Sequence, residues 1–129
     1  MSYIDGFVLM VPKKNIAAYR KMAQEGGKSW MKHGAVAYVE CIGDDMNPSM
    51  GGQKPTTFMQ LVKPKPSETI WYSFIIYKSR KHRDQVNKKV MKEMNDWIEK
   101  HPKEKMVMPF DEKRMAVGGF KPVVELWKK

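Results

Sequence analysis

The sequence predicts a single α+β domain with its elements in the order β-α-β-β-α-β, and three observations predict it. The length, 129 residues, suits one domain. Hydrophobic residues make up 42% of the chain, enough to bury a core without metals or disulfides. Runs with period-two apolar alternation are separated by two stretches with an apolar stripe at helical spacing.

Tyr3 to Val11 reads as the first strand, with Phe7, Leu9 and Val11 on one face and Ile4, Val8 and Met10 on the other. Pro12 stops it. Asn15 is placed to cap a helix in which Ile16, Tyr19, Met22 or Ala23, Gly26 and Trp30 recur, and His33-Gly34 closes it. Gly26-Gly27 weakens the middle of that helix, so a kink or a close helix–sheet contact is expected there. Ala35 to Ile42 is the second strand. Residues 43–56, rich in Gly, Asp, Pro, Asn and Ser, are expected to form a mobile loop. Thr57 to Val62 reads as a short strand, broken off by Pro64 and Pro66. Thr69 to Tyr77 is the strongest strand pattern in the chain, with Ser73 as its only small polar interior position. Ser79 caps a second helix whose stripe is Val86, Val90, Met94 and Trp97 or Ile98, and Pro102 ends it. The charged connection over residues 101–114 is expected to be mobile. Met115 to Leu126 forms the last strand, with Gly118-Gly119 near its start.

This order is the ferredoxin-like arrangement, an antiparallel sheet with two helices on one face. Two helices cover only one side, yet the first and third main strands are apolar on both. A large exposed apolar face is disfavoured in soluble monomers. A second copy of the same sheet across a two-fold axis is the simplest cover, so a homodimer through sheet faces is expected. A third layer from another protein would satisfy the same pattern.

The formal net charge is +10, which directs attention to polyanions. Residues 78–105 hold ten Lys/Arg, but five Asp/Glu are interleaved among them, as on a solvated helix face. Nucleic-acid binding is therefore the lesser expectation. The apolar stretch Phe7 to Val11 is too short to span a membrane. Asp5 precedes it and Lys13 and Lys14 follow it, the reverse of a secretory signal. With a single cysteine, Cys41, nothing calls for an oxidising compartment, and a cytoplasmic protein with no membrane partner is expected.

Several segments resemble a known family. Tyr3-Ile4-Asp5-Gly6-Phe7-Val8-Leu9, Ala18-Tyr19-Arg20, Glu40-Cys41, His82-Arg83-Asp84 with Val86-Asn87, and Val90-Met91 are similar to the bacterial YbaA-like family. So are Met108-Pro109-Phe110-Asp111, Lys113-Arg114-Met115 and Gly118-Gly119-Phe120. These segments run in order along nearly the whole chain. The resemblance implies a ferredoxin-like, dimeric α/β barrel and implies no activity. The stretch Asn95 to Lys105 is longer and richer in lysine than the family pattern.

Candidate chemistry rests on few residues. His33, His82 and His101 show no i, i+4 pair and no HExxH motif, so no metal site and no cofactor is expected. Cys41 reads as a buried structural thiol. Asp5 and Glu40 are acids inside apolar strands, where a carboxylate needs a partner or a raised pKa. They lie at strand ends or in salt bridges, with Arg83 and Arg114 as candidate partners, or one of them lines a cavity as a general base. His82, beside Arg83 and Asp84, is a candidate proton carrier or a helix-capping residue. Asp5, Glu40 and His82 are thus the catalytic candidates, and Ser73, Arg83 and Arg114 the ligand-binding ones. Arg114 before Gly118-Gly119 suggests an anion clamp, although no phosphate-loop motif is present. The twelve methionines, with Trp30, Trp71 and Trp97, are read as core filling, and Trp127 as a residue that packs across a dimer.

Three functions follow as expectations. The first is a small anionic metabolite bound or transformed between sheet and helices. The second is RNA or DNA binding through the basic second helix. The third is a structural dimer without a ligand.

Overall fold

The computed structural model describes residues 2–104 and 107–128. Lys105 and Met106, within the charged connection, and the terminal residues Met1 and Lys129 lie outside them. The elements are β1 (Tyr3–Pro12), α1 (Ile16–Lys32), β2 (Ala37–Ile42), α2 (Phe58–Val62), β3 (Glu68–Tyr77), α3 (Arg80–Lys100) and β4 (Ala116–Phe120). The strands form one antiparallel sheet in the order β2-β3-β1-β4. That order is a ferredoxin-related arrangement.

The expected dimeric α/β barrel with two helices is corrected on two counts. The sheet is open: β2 and β4 are its two edges, separated by β3 and β1, and the two are not bonded to each other. A barrel needs its edge strands joined. There are also three α-helices, not two, among the described residues. The third is Phe58–Val62, where a strand was expected. Thr57 accepts from the Gln60 N–H and the Gln60 side chain accepts from the Thr57 N–H, a reciprocal cap that starts a helix.

Register decides which side chains face the helices. Leu9 stands opposite Trp71, Phe7 opposite Ser73, and Asp5 opposite Ile75. On the other side of β3, Glu40 stands opposite Ser73 and Tyr38 opposite Ile75. These residues share one face, and both helical stripes pack on it. Tyr19 and Ala23 of α1 join Leu9, Val11 and Trp71 in one buried cluster. Val86 and Val90 of α3 join Ile75 and Tyr77 in another. Gly27 explains the glycine pair: a Cβ there would lie 2.7 Å from the Tyr38 ring, so α1 approaches β2 only where no side chain intervenes. The helix closes as expected, with Gly34 at φ 114°.

Four local expectations fail. Asn15 makes no capping bond; a 3-10 turn over Lys13–Asn15 leads into α1, and Asn15 Nδ2 donates to the Pro109 carbonyl at 3.0 Å. The last strand stops at Phe120, since Pro122 breaks the alternation and Val123, Val124 and Leu126 are exposed. Cys41 is exposed because its strand is an edge and its side chain faces away from the helices. Trp97 is also no core residue: it is 42% exposed and stacks on His101 at 4.2 Å.

The outer face of the sheet carries Ile4, Val8 and Met10 of β1 and Ile70, Tyr72, Phe74 and Ile76 of β3. The loop after β2 and α2 share a hollow with Ile70 and Tyr72 at one end of that face. Exposure across this face is uneven: Met10, Ile70 and Ile76 are buried, while Tyr72 is 48% and Phe120 61% exposed.

Candidate functional site

A cavity of about 460 Å³ lies between the sheet and the helices. Phe7, Leu9, Ser73, Ile75, Tyr38 and Glu40 form its sheet side. Tyr19, Met22, Ala23, Gly26 and Trp30 come from α1, and Met94 from α3. Met108, Phe110, Glu112 and Met115 close it from the connection before β4. Its walls are mostly aromatic and thioether, a surface suited to an apolar molecule.

Glu40 is the polar centre of this cavity. Alternation along β2 places Tyr38 and Glu40 on the same face, two residues apart. The Tyr38 hydroxyl donates to Oε1 at 2.9 Å, and the Tyr19 hydroxyl, arriving from α1, donates to Oε2 at 2.9 Å. No cation pairs with Glu40 among the described residues. Burial pushes its pKa above the ordinary carboxylate value, although Tyr38, Tyr19 and Ser73 all favour the ionised form. Both tyrosines are pushed up in turn, first by burial and then by the adjacent carboxylate. They therefore stay neutral donors. A carboxyl whose proton is held by its setting can give or take one from a bound molecule.

The remaining candidates lie elsewhere. Asp5 faces the same helix layer but is paired: Arg83 Nη1 reaches Asp5 Oδ1 at 2.9 Å, and Arg83 Nε reaches Asp84 Oδ1 at 2.8 Å. Beside them, Trp30 Nε1 and the Tyr77 hydroxyl both donate to Asn87 Oδ1, at 3.0 and 3.2 Å. This second polar cluster is satisfied from within. His82 accepts from the Lys78 N–H through Nδ1 at 3.0 Å, while Ser79 caps the helix by accepting from the His82 N–H. Arg114 sits on the outer face, where it grips Glu68 at 2.6 and 3.0 Å and holds that carboxyl below the usual range. Of the six candidates, then, the structure brings Glu40 and Ser73 together at the cavity and Asp5 and Arg83 together in an ion pair outside it, and leaves His82 and Arg114 apart from both.

Sequence reading missed Tyr19, Tyr38, Trp30 and Phe110 as site residues. One signal was available: Tyr38 and Glu40 share a strand face. Tyr19 carried no such mark, since its place on the apolar stripe of α1 reads as core. Two further hollows are less suggestive. One, of about 770 Å³, is walled largely by the 43–57 loop and holds Cys41. The other, of about 690 Å³, lies outside α1 and β2, with Arg20 and Lys28 on it.

Among known proteins, the profile described as "Protein of unknown function (DUF1428)" matches residues 2–112. The protein YbaA of Escherichia coli (strain K12) is 36% identical over 127 residues, covering 97% of this chain and 99% of YbaA. This chain belongs to the YbaA-like family. YbaA of Shigella flexneri matches to the same extent. Nearly full coverage in both directions means that the Glu40 cavity lies wholly within the segment shared with YbaA. A de novo designed protein, Foldit4, superposes with a TM-score of 0.44 at 7% identity, covering 95% of this chain and 99% of that one. That likeness is too weak to carry function.

Proposed function

We propose that this YbaA-like protein binds a small, largely apolar molecule between its sheet and its helices, with Glu40 as polar anchor and proton carrier. One observation carries the reading: a carboxyl without a cation partner stands in an apolar cavity, held there by two tyrosines. An unpaired carboxyl in such a place costs stability, and a ligand-binding role accounts for it. The anion expected from Arg114 and Arg83 does not suit this cavity, because both guanidiniums are taken by carboxylates outside it.

Gly26 supplies the test. It lines the cavity, and a Cβ there would meet only ordinary contacts, at 3.7 Å from Trp30 and 3.8 Å from Tyr38. Gly26→Leu fills the space from a well-formed helix. A thermal-shift screen of small apolar compounds is expected to give hits with the natural chain and none with Gly26→Leu. Hits that survive this substitution would place binding elsewhere.

The outer sheet face favours a second, compatible reading: a second copy of the chain packs against it. Its apolar residues are flanked by the Arg114–Glu68 pair, which is neutral and so repels no identical partner. Sedimentation is expected to find particles about twice the 15.0 kDa chain mass, reverting to single chains with Tyr72→Glu. Only single chains in the unsubstituted protein would end this reading.

Among the described residues, no helix is long and apolar enough to cross a membrane. A reducing, cytoplasmic setting suits the lone exposed thiol of Cys41. Polyanion binding finds less support. The exposed Trp97 on α3 is stacked on its own His101, and Lys92 is paired with Asp96.

A further inference from the structure

The chain carries +10, yet the charged side chains lining the sheet–helix cavity are Glu40 and Glu112, both acids. None of the described lysines or arginines reaches it. The cavity that Glu40 lines is also walled by the rings of Phe7, Tyr19, Trp30, Tyr38 and Phe110, of which Tyr19 and Tyr38 touch the carboxylate. Tyr19 lies edge-on to Phe110 at 5.6 Å, and Trp30 lies 6.1 Å from Tyr38. Aromatic faces and a carboxylate together attract one kind of group, a desolvated cation.

The same molecule shows the completed arrangement elsewhere on this face. Asp5 has the Arg83 guanidinium at 2.9 Å, and that guanidinium lies 4.9 Å from the centre of the Tyr3 ring. Carboxylate, cation and ring are all present there. At Glu40 the carboxylate and the rings are present and the cation is missing. Glu40 accepts from the two tyrosine hydroxyls and from Ser73, and a carboxylate's four lone-pair positions leave room for one further donor.

We propose that the ligand of this cavity is a protonated amine on an apolar, aromatic-sized body, its ammonium completing the Glu40 site. The proposal rests on the cavity being a binding site and adds the class of ligand. At a pH where Glu40 is protonated, binding draws it into its ionised form, and a proton then leaves as the amine enters. The groups that face Glu40 are Tyr19 from α1, Tyr38 on its own strand and Ser73 from β3, with Glu112 also in the cavity. Arg20 and Lys28 are exposed in the separate groove that reaches Glu40 from outside α1. Burial raises the pKa of Glu40. Amine affinity is therefore greatest above that pKa and falls as pH drops through it.

Three probes with one body and different heads test this: tryptamine, indole-3-ethanol and indole-3-acetate, titrated calorimetrically into the full chain. Tryptamine is expected to bind about tenfold or more tighter than the alcohol, with the acid weakest. In Glu40→Gln, which keeps an acceptor for the tyrosines, the amine and alcohol should come within about twofold of each other. Repeating the tryptamine titration at falling pH, in buffers of different ionisation enthalpy, should show affinity falling and net proton release rising as Glu40 takes up its proton, both absent in Glu40→Gln. If the alcohol or the acid matches or exceeds the amine, the ligand class is wrong while the cavity stands. If no probe binds at millimolar concentration, the reading of the cavity as a binding site fails, and this proposal fails with it.

Discussion

Asp5 and Glu40 flank the central strand β3 on the same side of the sheet, and both meet the helix layer, yet their surroundings differ in kind. Asp5 is 4% exposed and bound to Arg83, with Tyr77, Asn87 and Trp30 closing the polar network around it. Glu40 has tyrosines and a serine instead of a cation, and a cavity in front of it. A buried charge with a matched partner holds elements together, since removing either member strands the other. A half-buried acid with only neutral donors has its proton affinity changed and its position kept. One face of one sheet thus carries a closed site that serves stability and an open one suited to chemistry.

The largest expected effect breaks the closed site. Asp5→Asn leaves Arg83 part-buried without its main counter-charge and should cost about 3 kcal/mol in urea unfolding. A loss below about 1 kcal/mol would mean that Arg83 finds water, and the cluster would not be closed. Next comes the helix contact that frames the open site. Gly27→Ala places a methyl 2.7 Å from the Tyr38 ring and is expected to cost about 1–2 kcal/mol, despite the better helix propensity of alanine. Gly26→Ala, one residue away with room to spare, should instead gain up to about 1 kcal/mol. Equal effects at the two positions would show that α1 slides freely over β2.

Glu40→Gln should have the opposite sign to Asp5→Asn. The folded pKa of Glu40 lies above its unfolded value, so the native state holds the proton to higher pH than the unfolded state does. Stability from this group is fully present below the unfolded pKa and is lost as pH rises through the folded one. Glutamine does not ionise, so the variant should gain on the natural chain progressively as pH rises, with the difference vanishing in acid. Thermal unfolding across pH reads this directly, and a variant less stable at neutral pH than in acid, relative to the natural chain, would reverse the assignment. The smallest effect is expected from Tyr19→Phe. Losing one donor to the carboxylate should raise the Glu40 pKa further, visible as a shifted carboxyl carbon titration, with a stability change of about 1 kcal/mol or less.

Much of the fold was legible because its signals are local. The alternation in Tyr3 to Val11 and Thr69 to Tyr77 marked the two central strands, and Ser79 marked the start of α3. Phe58–Val62 was misread because five residues hold too little periodicity to separate helix from strand, and the deciding Thr57–Gln60 cap was overlooked. Cys41 and Trp97 were misplaced inside because hydrophobic character does not reveal which strand becomes an edge or how far a helix runs beyond the sheet. At the site, Glu40 and Ser73 stood out as polar residues in apolar strands. Nothing local distinguished Glu40 from Asp5.

From the order of residues alone came the alternation of strands and helices, the apolar character of both faces of the central strands, the anomaly of two acids within them, and the kinship to the YbaA-like family. Those properties depend on neighbours a few residues apart. Which acid receives an arginine and which receives a cavity depends on contacts between residues 21 and 78 positions apart, Tyr19 with Glu40 and Asp5 with Arg83. Only packing α1 and α3 onto one face of the sheet brings those side chains within hydrogen-bonding range, so the tertiary structure paired one carboxylate with a guanidinium and set the other among neutral donors beside a cavity.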